Sequence, residues 1–176
     1  MLSQLNPSNI VIGHLKTLGR KTPDEEDGIS VFEVVLFLFT GVPFAVLQLI
    51  AVTQGYFLTS ESVGIIVSAA SIIAGLLLNL LVLVYTLVFN QMRELKDSRD
   101  LFKKIALHTF YNISFTVFSC LLLVVVCLMC MAINTWLRMV GSVLTFYLGP
   151  LVAVSLMMVL KKCHTLIGFY LTKDEM

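Results

Sequence analysis

Charge is scarce in this sequence. Lys, Arg, Asp and Glu make up 13% of its 176 residues, against about 25% in soluble domains. This scarcity argues against a soluble enzyme, a disordered chain or a nucleic-acid module. None of the four charged residue types lies well inside any of the long apolar stretches; Glu33 and Arg138 fall only at their ends. Ion pumps and proton-coupled carriers generally need an ionisable group within the membrane, and no pair of carboxylates could share acid–base work there. Motifs for phosphate binding, metalloproteolysis and a nucleophilic triad are also missing, so no enzymatic activity and no cofactor or metal site is expected. Residues 1–30 lack the continuous apolar core of a cleaved leader. Position 2 is Leu and Cys163 is far from the C-terminus, so no lipidation motif is expected either.

Apolar residues are abundant: 58% are hydrophobic and the mean hydropathy is +0.94. A bilayer core about 30 Å thick takes about 20 apolar residues as a helix. Four stretches meet that requirement, at about 31–52, 63–89, 110–133 and 137–160. Barrel strands are shorter and alternate in polarity, so the expected fold class is an all-α membrane protein of four transmembrane helices. The connections at about 53–62 and 134–136 are short, which ties the helices into two hairpins.

The basic residues set the orientation. Lys16, Arg20 and Lys21 precede the first span. Arg93, Lys96, Arg99, Lys103 and Lys104 lie between the second and third, and Lys161, Lys162 and Lys173 follow the fourth. Eleven of the twelve basic residues therefore fall on one side, with Arg138 the exception. Both termini and the long connection are expected to be cytoplasmic, in a multi-pass protein whose main partner is the lipid bilayer.

Within residues 1–30, Pro7-Ser8-Asn9 offers a capping start. Ile10, Val11, His14, Leu15 and Leu18 then repeat at helical spacing, and Gly19 offers an end. An amphipathic helix on the inner leaflet fits this pattern, with Lys16 and Arg20 near lipid phosphates; a docking helix for a cytoplasmic partner is the sharper reading. Residues 91–107 read as a helix continuing from the second span into the third. Arg93, Lys96, Arg99, Lys103 and Lys104 are interleaved there with three acids and no aromatic platform, so contact with lipid or a cytoplasmic partner is expected rather than direct nucleic-acid binding. Residues 161–176 form a cytoplasmic tail.

In the second span, Gly64, Ser68, Ser71, Gly75 and Asn79 recur at intervals of three or four, with Ala70 and Ala74 widening the stripe. Small residues let helix backbones approach closely, and packing is a main force between helices in lipid. This face is expected to meet another helix, from within the chain or from another copy. Asn112 begins a similar series with Thr116 and Ser119 in the third span; Asn79 and Asn112 could pair, because an amide in hydrocarbon needs hydrogen-bond partners. Gly41-Val42-Pro43 and Gly149-Pro150 are expected to break or kink the first and fourth spans. Cys127 and Cys130 have C-x-x-C spacing but no His or acidic companions in the sequence. These two, with Cys120 and Cys163, read as buried thiols behaving like small apolar side chains. Tyr56, Phe57 and Trp136 suit an aromatic belt at the outer interface.

Residues 68–160 include SAASIIAGLLLNLLVLVYTLVF, then a charged helix, then HTFYNISFTVFSCLLLVVV and a last span running into VLKKCHTLIGFY. Through Ala74-Gly75-Leu76-Leu77 with Asn79, and through Asn112-Ile113-Ser114, this stretch resembles small multi-span membrane proteins of bacterial anti-phage defence operons, including retron-type transmembrane effectors. The resemblance implies an inner-membrane toxin held dormant by a cytoplasmic complex, in the retron case a reverse transcriptase with its nucleic acid. Once released, it would form homo-oligomers and damage membrane integrity, with Gly75, Asn79 and Asn112 as candidate assembly residues. A non-toxic scaffold or anchor subunit is the alternative, and a small channel or carrier comes third.

Overall fold

The computed structural model describes residues 35, 37–94 and 99–171, with side chains described for 35, 37–86 and 106–164. The N-terminal segment with Lys16, Arg20 and Lys21, residues 31–34 and 36 of the first span, Lys96, and the end of the tail lie outside the described residues. So do the side chains of Arg93, Arg99, Lys103 and Lys104.

Among the described residues four helices follow one another: α1 Val42–Thr53, α2 Ser60–Glu94, α3 Arg99–Met129 and α4 Thr135–Leu171. No strand occurs among the described residues. The stretches Ser60–Thr86, Ala106–Met129 and Thr135–His164 are long and apolar enough to cross a membrane, and Phe37–Thr53 is a shorter apolar helix. This is the architecture of a helical membrane protein. At 35 and 37 residues, α2 and α4 would each exceed 50 Å at about 1.5 Å per residue, so both outrun a bilayer core. The helical connection expected at 91–107 is described through Glu94 and again from Arg99.

Local chemistry fixes the helix ends. The chain turns at Thr40–Gly41 before α1, and Pro43 follows at the start, where a missing N–H costs nothing. The break expected at Gly41-Val42-Pro43 is therefore present. At the other end of α1, Gly55 takes a φ of +88°. Its N–H donates to the Val52 carbonyl at 2.9 Å, and the Tyr56 N–H donates to that of Ala51 at 3.0 Å. This double closure satisfies carbonyls the helix leaves open, and glycine is the residue that reaches the left-handed region at little cost. Thr59 caps α2, its Oγ1 accepting from the Ser62 N–H at 3.2 Å. Asn134 caps α4, its Oδ1 accepting from the Trp136 N–H at 2.9 Å.

Two boundaries differ from expectation. α3 ends at Met129 rather than near 133, because the N–H groups of Cys130, Met131 and Ala132 bond three residues back, at 3.1 Å each, and tighten the last turn. Of the break or kink expected at Gly149-Pro150, a break does not occur: the fourth helix is continuous through Pro150. Proline removes one backbone hydrogen bond, a loss that membrane helices tolerate when their neighbours support them.

The chain divides into two compact units. In Val35–Leu77 with Thr116–Val154, the core gathers Val63, Ala70 and Ala74 from α2, Cys120, Leu123, Cys127 and Cys130 at α3, and Val152 from α4. In the described part of Leu78–Phe115 with Ser155–Met176, the buried positions include Val84, Ala106, Thr109, Asn112, Ile113, Ser155 and Val159. Burial is shared unequally among the spans: 44% of the α3 span is buried, against 28% for α4 and 17% for α2.

Candidate functional site

The second helix carries two small-residue faces, and only one of them packs. Ala70 and Ala74 are buried with Val63 in the core. Gly64, Ser68, Ser71, Gly75 and Asn79 are all exposed. At 100° per residue the two faces lie about 120° apart around the helix. A Cβ built on Gly64 or Gly75 meets nothing within 4 Å. Among the described residues, then, nothing packs against the two glycines of this stripe, and Ala70 and Ala74 belong to a separate, buried face rather than widening it. Large apolar side chains flank the stripe, Ile72 and Leu76 both being 64% exposed.

Asn79 lies about 9 Å along the axis from the midpoint of the Ser60–Thr86 span, at a depth where an exposed amide loses hydrogen bonds that water would supply. Thr86, on the same helix, satisfies its hydroxyl locally by donating to the Leu83 carbonyl at 2.8 Å. Asn112 is the counterpart of Asn79 inside the fold, at 1% exposure. The two asparagines do not share an environment, so the expected pairing does not hold.

The polar groups that do pack lie on α3 and α4. Thr109, Asn112, Thr116, Ser119, Cys120, Cys127 and Cys130 follow one broad buried face of α3 and its final turn, and Ser142, Thr145 and Ser155 are buried on α4. The repeat at Asn112, Thr116 and Ser119 is visible in the sequence, whereas Ser142 and Thr145 offer only a three-residue spacing as signal. Thr145 Oγ1 lies 3.7 Å from the sulfurs of both Cys127 and Cys130. Ser142 Oγ donates to Cys130 Sγ at 4.0 Å, and Cys130 itself donates to the Val126 carbonyl at 3.7 Å. Gly141 makes this approach feasible: a Cβ there would lie 3.0 Å from the Cys130 nitrogen and 3.1 Å from its sulfur.

In the same unit, the Arg138 guanidinium lies 5.0 Å from the centre of the Phe57 ring. The one basic residue apart from the basic cluster is thus held against an aromatic face, a cation–π contact that limits the cost of placing charge beside apolar surface. Tyr56 and Trp136 are exposed nearby in sequence, as an interfacial belt requires. No protein-family model, curated protein or solved structure matches this chain.

Proposed function

We propose that this chain is a multi-pass inner-membrane effector of an anti-phage, abortive-infection system, which self-associates in the bilayer and disrupts it when a cytoplasmic partner releases it. The observation that carries the reading is the exposed Gly64–Ser68–Ser71–Gly75–Asn79 face on the least buried of the long spans. Lipid does not reward a stripe of glycine, serine and asparagine, whereas a second helix does. The glycines allow backbone approach, the serines add interhelical hydrogen bonds, and Asn79 finds an amide or hydroxyl partner. In this reading both termini and the α2–α3 connection are cytoplasmic, as the eleven clustered basic residues direct, so control comes from that side. The sequence resemblance to defence-operon membrane proteins supports the same reading.

The same face also suits a helix of a different protein, which gives the second reading, a scaffold or anchor subunit. Induced expression with a membrane-potential dye, together with cross-linking in intact membranes, separates the two. The effector reading expects multimers and depolarisation from the natural chain, and loss of both in Gly75→Leu at equal membrane abundance. A stoichiometric foreign partner with normal polarisation at strong expression favours the scaffold. A monomer with normal polarisation and no partner sinks both.

A further inference from the structure

The sequence leaves the C-x-x-C pair without companions, but the fold supplies them from α4. Cys127 and Cys130 are both buried, at 0% and 4% exposure. Their sulfurs flank the same hydroxyl, Thr145 Oγ1, at 3.7 Å each. Three residues apart at a helix end, they share a face, so two sulfurs converge on one point. Ser142 donates to Cys130, and the Thr145 hydroxyl lies within reach of both sulfurs.

We propose that Cys127 and Cys130, backed by Thr145 and Ser142, form a binding site for a soft, two-coordinate monovalent cation of the Cu(I) or Ag(I) class. Thiolate and thioether ligands select such ions over harder ones. No group of three or more His, Cys, Asp or Glu suited to a metal occurs among the described residues. A tetrahedral zinc site is therefore not what this pair offers, whereas a linear ion needs only two sulfurs. On binding, both thiols release their protons to solvent and one monovalent ion bridges the two sulfurs, leaving a net charge of −1; no electron changes hands. The Ser142 and Thr145 hydroxyls then donate to the thiolates, which partly offsets the loss of water. Met131 follows Cys130 directly and is 57% exposed, and Met129 and Met139 lie close by in sequence and are partly exposed, so soft thioethers accompany the pair in the sequence. This site does not depend on the effector reading.

The test is a titration of the purified full chain with Ag(I) in mild detergent without oxygen, against excess glutathione as a competing monothiol. One Ag(I) per chain is expected to be retained, because two convergent thiols outcompete a single one. Retention should survive in the Cys120→Ala/Cys163→Ala double variant, fall at least 100-fold in Cys127→Ala or Cys130→Ala, and weaken about 10-fold in Thr145→Val. On the natural chain, needing no variant, the retained silver should stand at one ion per chain. Release of all Ag(I) to glutathione, or retention that persists without Cys127 and Cys130, overturns the proposal.

Discussion

Gly41 and Tyr147 sit in direct backbone contact. A Cβ on Gly41 would strike the Tyr147 carbonyl oxygen and come within 2.7 Å of its ring carbon Cδ2. The Tyr147 hydroxyl, in turn, donates to the Leu38 carbonyl at 3.1 Å, across the turn that precedes α1. The missing side chain at 41 and the long polar one at 147 are two halves of one joint. The glycine lets α4 approach the turn, and the tyrosine satisfies a carbonyl released by it, as an apolar surrounding demands.

Gly41→Ala is therefore expected to lower stability by about 1–3 kcal/mol, the usual range for overpacking a close contact. The φ of Gly41 is −80°, so steric contact rather than backbone strain is the cause. Thermal unfolding in detergent, followed by helicity, checks the loss. Tyr147→Ala has its own cost, the lost bond to the Leu38 carbonyl, so the pair is read as a double-mutant cycle: the coupling should cancel only part of the Gly41→Ala loss, because the backbone oxygen of residue 147 remains. Coupling equal to the whole loss would show that only the ring matters.

Gly55→Ala isolates the opposite cause. Nothing lies within 4 Å of a Cβ there, but the φ of +88° is one an alanine resists. A loss of about 1 kcal/mol is expected from the αL conformation alone, with Gly55→Asn costing less. Equal unfolding midpoints for Gly55→Ala and the natural chain would mean that the double closure onto Val52 and Ala51 is not needed.

The helical class and the break at Gly41 are legible in the sequence because each rests on local chemistry: run length and a glycine beside a proline. The packed side of α2 was not. Ala70–Ala74 and Gly64–Ser68–Ser71–Gly75 are both small-residue faces, and periodicity alone ranks neither. What decides is the neighbour: Cys120, Leu123 and Cys127 of α3 share the core of Ala70 and Ala74. Likewise, no local signal at Cys127 and Cys130 announces hydroxyls that arrive from Ser142 and Thr145. The end of α3 was placed late because Ala132 and Ile133 are apolar enough to continue a span, whereas the tightened hydrogen bonds at 130–132 belong to the turn.

Substitution on the two faces of α2 should separate folding from assembly. Ala74→Leu enlarges a side chain at 6% exposure and is expected to cost about 1–3 kcal/mol in the monomer. Gly75→Leu, one residue on, enters open space and should leave the unfolding midpoint of the monomer unchanged or slightly raised, since leucine favours helix over glycine. Cross-linked multimers should fall only in the second variant at matched abundance. A Gly75→Leu chain that unfolds early would place a helix of this same chain on the exposed face.

The two asparagines make the sharpest contrast, because their chemistry is identical and only their surroundings differ. Asn112 is 1% exposed, on the α3 face that carries Thr109 and Thr116. Asn112→Leu removes a buried amide and inserts a branched side chain of similar volume, so the monomer is expected to lose about 1 kcal/mol, in line with the worth of polar contacts between membrane helices. Asn79 is exposed, and Asn79→Leu should spare the monomer while lowering self-association several-fold, because the amide would find its partner only on a second copy. Sedimentation in density-matched detergent gives the association constant, and thermal unfolding of the dilute monomer gives the stability. If Asn79→Leu associates as strongly as the natural chain, the amide faces lipid or the headgroup layer in the assembled state, and Gly64, Ser68, Ser71 and Gly75 must hold any assembly by backbone approach alone.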